Sequence, residues 1–221
     1  MDTKIESGEL RGELNPDVSA DLAASPLLPV IKKVQKKAFE LLSERRYGHS
    51  LRVAETALKM CKLYGEREDR GYLAGIGHDI CKEIEAEKLV SISLRDGMPV
   101  CEIEKKIPSL LHGRAAAVLL KEDFGIEDEE LLCSVAFHTF GDKNFGILGK
   151  IIYSADKIEP GRENISPEYL EHLFLLSLDM LTKEVLEECI DYVRKKGKPV
   201  APQSLEFLEK LEQDIKQGRD F

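Results

Sequence analysis

The 221-residue sequence has no Cys-x-x-Cys spacing, and its five cysteines, Cys61, Cys81, Cys101, Cys133 and Cys189, are odd in number. Neither a zinc ribbon nor a disulfide framework is expected, and a reducing compartment fits them best. No uninterrupted apolar run approaches the ~20 residues a bilayer span requires, and Met1-Asp2-Thr3-Lys4-Ile5-Glu6 carries no apolar signal core. The chain therefore reads as cytoplasmic, with no membrane partner. A basic surplus is also missing. The formal charge of -9 argues against nucleic acid as a partner, because polyanion binding draws on a basic surface. There is no convincing strand alternation, no glycine-rich phosphate loop and no internal repeat. Any affinity for phosphate must be built locally.

What remains is a globular composition, 43% hydrophobic and 33% charged, of a length that fits one large domain with an extension. Residues 1–26 are polar and acidic, broken by Gly8, Gly12, Asn15-Pro16 and Ser25-Pro26, and read as a flexible N-terminal extension. The packed domain is expected over 27–221. Apolar residues recur three or four apart in Leu51, Ala54, Leu58 and Cys61, and again in Leu170, Phe174, Leu178, Leu181, Val185 and Ile190. Segments 108–124, 127–139 and 145–157 also read as helices, punctuated by Pro108, Gly125, Gly141 and Gly161. The Leu170–Leu181 stretch is assigned to core packing, since its polar face lacks the basic belt of a membrane-surface helix. Leu205, Leu208, Leu211 and Ile215 mark one more amphipathic helix, so the expected class is all-α.

Four of the five histidines join two aspartates in an ordered set: His49, the contiguous pair His78-Asp79, His112, His138 and Asp156. Each stands at or near the edge of an apolar helical segment, so one bundle could aim all six into one cavity. A set of imidazoles and carboxylates without thiolate suits Fe, Mn, Zn or Ni better than Ca. Two ions could share it. If Asp79 bridges, His49, His78 and Asp156 complete one site, and His112 and His138 complete the other. Such a pair activates a hydroxide and clamps the attacking and leaving oxygens of a phosphoryl transfer. His172 has no partner nearby in sequence and is assigned to structure or surface.

These stretches resemble a known family, the YqeK-type HD-domain phosphohydrolases. Tyr47-Gly48-His49-Ser50-Leu51-Arg52-Val53-Ala54 resembles the family's opening, and Gly77-His78-Asp79-Ile80-Cys81-Lys82 its HD signature with a lysine three residues on. Leu111-His112-Gly113 and His138-Thr139-Phe140-Gly141 resemble the third and fourth histidine motifs. The run Ile151 to Arg162, ending Asp156-Lys157-Ile158-Glu159-Pro160-Gly161-Arg162, resembles the final aspartate segment, and that ending is the most specific part. The likeness covers about residues 30–195. It implies an all-α HD-domain helical bundle and symmetrical hydrolysis of diadenosine tetraphosphate to two ADP. It also implies a dinuclear centre, iron foremost, with manganese, nickel or zinc as alternatives.

Roles follow as expectations. A metal-bridging hydroxide is the nucleophile, held over Asp79 as the shared ligand. Lys82 stabilises charge on the attacked phosphoryl group. Arg162, with Thr139 and possible help from Arg52 or Arg114, holds the rest of the phosphate chain, since a planar guanidinium pairs with phosphate oxygens. Arg52 fits a helix-face salt bridge to Glu55 as well, and Arg114 reads more simply as an ordinary surface arginine. Two positions depart from the family pattern: Phe140-Gly141-Asp142 stands where Thr-Gly-Arg is expected, and Arg114 where proline is expected. Expected partners are a dinucleoside polyphosphate and ADP, with room for a homodimer. The alternatives are an HD phosphohydrolase acting on a mononucleotide, cyclic dinucleotide or guanosine polyphosphate, or a nucleotide-sensing module.

Overall fold

The computed structural model describes residues 13–219, and among these the chain forms twelve α-helices and no strand. They are α1 (Pro16–Asp21), α2 (Leu28–Leu41), α3 (Glu44–Tyr64), α4 (Glu68–Gly77), α5 (Ala86–Ser93), α6 (Glu102–Lys106), α7 (His112–Phe124), α8 (Glu129–Phe137), α9 (Ile147–Ile158), α10 (Pro167–Leu173), α11 (Leu178–Lys195) and α12 (Pro202–Lys216). One apolar core joins all of them but α6, from Ile31 and Val34 through Val53, Leu73 and Leu120 to Ile152, Leu181 and Leu211.

Two missing side chains set the spacing of the central helices. α3 and α4 touch backbone to backbone, because a Cβ on Gly75 would lie 2.6 Å from the Cα of Ala54. The start of α7 presses on the end of α8 in the same way, since a Cβ on Gly113 would meet the Ala136 carbonyl at 2.7 Å. Both contacts carry candidate ligands: His49 and His78 flank the first, His112 and His138 the second.

The structure differs from the sequence reading in four places. Residues 1–12 lie outside the described residues, but 13–26 are folded onto the domain. Asn15 accepts the Asp17 amide at 2.9 Å, Pro16 opens α1, and Val18 and Leu22 are buried. The segment 108–124 divides into a 3-10 turn, Pro108–Leu111, and α7. The Leu170–Ile190 periodicity belongs to two helices, because the Ser177 hydroxyl caps α11. Its core assignment holds for Leu173, Leu178 and Leu181, while Leu175 in the break is 86% exposed. In α12 the buried edge is centred on Phe207 and Leu211, with Leu205 exposed.

Candidate metal and phosphate site

The six predicted ligands arrive from five helices. His49 lies in the second turn of α3, and His78 and Asp79 follow the last residue of α4. His112 opens α7, His138 follows α8, and Asp156 sits in the last turn of α9. All six are buried. The imidazoles form a chain of edge-on rings: His49 to His78 at 5.3 Å, His78 to His138 at 4.9 Å, and His138 to His112 at 4.9 Å between centroids. Their donor atoms fall into three overlapping groups, each within 4.8 Å: His49, His78 and Asp79; His78, His138 and Asp156; and Asp79, His112 and His138. Asp79 belongs to two of them. Its Oδ1 is 2.9 Å from His112 Nε2, while its Oδ2 faces His49 Nε2 at 3.9 Å.

The chemistry of these donors fits a metal. His78, His112 and His138 each direct Nδ1 at the carbonyl three residues earlier, Gly75 at 2.6 Å, Ser109 at 2.7 Å and Val135 at 2.7 Å. A carbonyl only accepts, so Nδ1 carries the proton and, in the neutral ring, each Nε2 is left as a lone pair. Two such nitrogens, on His112 and His138, then face each other 3.1 Å apart with no proton to share. His49 Nε2, His78 Nε2 and Asp79 Oδ1 are buried without a well-directed hydrogen bond. Converging buried acceptors are costly unless an electrophile satisfies them.

The electrostatics agree. Burial pushes His138 down to about 3, so its ring is neutral at physiological pH. Burial alone would raise the carboxyls of Asp79 and Asp156, yet both are held well below their ordinary range. The histidines do this for Asp79, and Lys157 with His49 and His78 does it for Asp156. Burial also opposes charge on His49, but the neighbouring carboxylates of Asp156 and Glu159 outweigh it and raise that imidazole.

A cavity of about 760 Å³ opens beside the cluster. Lys82, Thr139, Asp156, Lys157 and Arg162 line its polar end, and α11 with the α11–α12 connection lines the other. Lys82 Nζ stands 2.9 Å from His112 Nε2 and 3.4 Å from Asp79 Oδ1, and burial lowers its pKa. Arg162 Nη2 donates to Asp156 Oδ1 at 2.7 Å. Its Nε and the Thr139 hydroxyl are buried without a partner, two unused polar groups in the wall of the cavity.

Two of the expected phosphate contacts are placed elsewhere. Arg114 is 5% exposed and spends its guanidinium on Asp96, Glu104 and the carbonyls of Met98 and Pro99. It is neither a surface residue nor a cavity residue, and it pins the 96–104 segment, which runs into α6, to α7. Arg52 is engaged by Glu159, with Nε at 2.6 Å. The departure at Asp142 is harmless to an anion in the cavity, since its carboxylate closes a turn on the Asn144 amide at 2.7 Å and does not line the cavity.

Sequence reasoning assigned no role to three residues that the fold brings in. Lys157 bridges Asp156 Oδ2 at 2.9 Å and the His138 carbonyl at 2.6 Å, Glu159 meets His49 Nδ1 at 3.0 Å, and Arg46 reaches Asp79 Oδ2 at 3.4 Å. Lys157 and Glu159 stood inside the most specific motif; that position was the available signal. Cys81, 0% exposed, has its thiol pushed up to about 12 by burial and packs in the core.

Known proteins are similar to this chain along most of its length. The HD domain family matches residues 46–161. A symmetrical bis(5'-nucleosyl)-tetraphosphatase of Staphylococcus aureus is 39% identical over 60% of this chain and 68% of its own. One from Halalkalibacterium halodurans is 34% identical over 77% and 90% respectively. A crystal structure described as a predicted HD superfamily hydrolase involved in NAD metabolism, from Clostridium acetobutylicum, superposes with a TM-score of 0.76 at 33% identity, covering 82% of this chain and 96% of that one.

Proposed function

Because the chain belongs to the HD-domain family, we propose that it is a metal-dependent phosphohydrolase that cleaves diadenosine tetraphosphate symmetrically into two ADP. The observation that carries this reading is the convergence of unprotonated histidine nitrogens and two carboxylates at the polar end of a cavity whose wall holds Lys82 and Arg162. We assign His49, His78, Asp79, His112, His138 and Asp156 to two transition-metal ions, iron first, with Asp79 shared. Bound there, the ions supply Lewis acidity, which acidifies water and draws charge from phosphoryl oxygens.

The chain's own residues do the rest. Lys82 sits against His112 and Asp79 at the mouth of the cluster, where a partly desolvated ammonium acts most strongly on charge that develops during attack. The unused Arg162 Nε and Thr139 hydroxyl donate to the remaining phosphate oxygens. Lys157 ties the His138 carbonyl to Asp156 and so keeps two ligands in register. The wall of Phe140, Val193, Pro199 and Val200 receives a nucleoside. Five unpaired cysteines fit a reducing, cytoplasmic setting.

Chromatography of products from diadenosine tetraphosphate, with iron or manganese supplied, tests the assignment. ADP alone is expected. ATP and AMP in equal amounts, or rapid hydrolysis of a mononucleotide with the tetraphosphate untouched, would transfer the chain to a different HD phosphohydrolase activity.

A further inference from the structure

His49 is held differently from the other three histidines, and the helix explains why. His78 and His138 cap the ends of α4 and α8, and His112 follows a 3-10 turn, so each finds a carbonyl at i−3 free to accept its Nδ1 proton. His49 lies inside α3, where the carbonyls of the preceding turn already serve the helix. Its Nδ1 turns to a side chain instead, Glu159 Oε1 at 3.0 Å.

Glu159 is 2% exposed and fully engaged. Arg52 donates Nε to Oε2 at 2.6 Å and Nη2 to Oε1 at 3.2 Å, and the Gly161 amide donates to Oε2 at 2.6 Å. Residue 161 must lack a Cβ for this to assemble, because a Cβ there would collide with the Arg52 guanidinium. The Glu159-Pro160-Gly161 turn and Arg52 thus fit each other through a carboxylate and through shape.

We propose that Glu159 and Arg52 are a positioning pair for His49: Glu159 fixes the ring so that Nε2 faces the cluster, and Arg52 fixes Glu159. Arg52 then acts on metal binding and leaves the phosphate chain to Arg162. This rests on the metal-site reading above. Outer partners of a ligating imidazole orient it and raise its basicity, and their removal commonly weakens metal affinity about 10–100-fold.

The test is a cobalt(II) titration of metal-stripped protein, followed by visible absorption, for the parent, Glu159→Gln, Arg52→Ala, Arg52→Lys and His49→Ala. Thermal melts check that each variant is folded. Glu159→Gln should weaken one of the two ions roughly 10–100-fold. Arg52→Ala should shift the same ion less, and Arg52→Lys should recover part of that shift. In a His49→Ala background, Glu159→Gln should cost nothing further, an outcome that a merely structural role would not produce. At saturating metal, Arg52→Ala should lower kcat with KM for the tetraphosphate unmoved. Parent-like cobalt affinity in Glu159→Gln, or a raised KM with intact affinity in Arg52→Ala, would overturn the pairing. Failure of the parent itself to bind cobalt would instead reject the metal site on which it rests.

Discussion

The two ends of the cavity are built on opposite principles. At the polar end each position admits few residue types: imidazoles whose Nδ1 is committed, carboxylates kept ionised by their neighbours, a lysine at the edge. At the α11–α12 end the wall is made of Val185, Ile190, Val193, Pro199 and Val200, which any soluble protein could place there. Chemistry that needs particular lone pairs and charges restricts sequence tightly; a surface that need only be apolar and concave hardly restricts it.

If that contrast is right, substitutions at the two ends should fail in different ways. The largest effect is expected at Asp79, the carboxylate shared by two ligand groups. Asp79→Ala should abolish turnover and remove most bound metal, read by elemental analysis beside the product assay. A metal content equal to the parent's would contradict its shared position. Lys82→Ala should leave metal in place and lower kcat roughly 10²–10³-fold, as loss of one preorganised donor does, with little change in KM. An increase in KM alone would make Lys82 a binding residue.

At the other end, Val193→Ala removes two methyl groups, worth about 1.6 kcal/mol at ~0.8 kcal/mol each. It should raise KM up to about tenfold while metal content and kcat stay near the parent values. A change in metal content there would erase the distinction between the two ends.

A further effect is one of pH. His138 is held at about 3 in the folded chain against an ordinary 6.5, so the unfolded state takes up its proton first as the solution is acidified. Its contribution to the stability of the metal-stripped protein is complete above pH 6.5 and is lost progressively as pH falls toward about 3. Glu159, held at about 2 chiefly by His49 and Arg52 against its burial, adds a second loss below its ordinary 4.5. Melting temperatures of stripped parent and His138→Gln should therefore diverge in slope between pH 6.5 and 4.5. Parallel slopes would mean that His138 protonates freely in the fold.

The same contrast explains what could be read from residues alone. The six converging side chains were legible because their order and their places at helix edges are properties of the chain itself. Arg114 was misread because its partners, Asp96 in a 3-10 turn and Glu104 in α6, have no periodicity to announce them, and their carboxylates converge on its one guanidinium only after folding. Arg52 was half legible: its charge was evident, but its partner stands 107 residues away. Asn15-Pro16 was taken for a break, although asparagine followed by proline is also how a helix begins. Ser177 did the reverse, starting a new helix inside an apolar rhythm that never paused.

Gly75 and Gly113 give the centre a vulnerability that conventional scanning would overlook. Replacing a residue by alanine ordinarily takes atoms away, and positions already small are passed over as having nothing to lose. At these two positions the change inserts a methyl group between backbones already in contact, forcing α3 from α4 or α7 from α8. The interval between His49 and His78, or between His112 and His138, is thus gauged by residues that have no side chain and carry no charge.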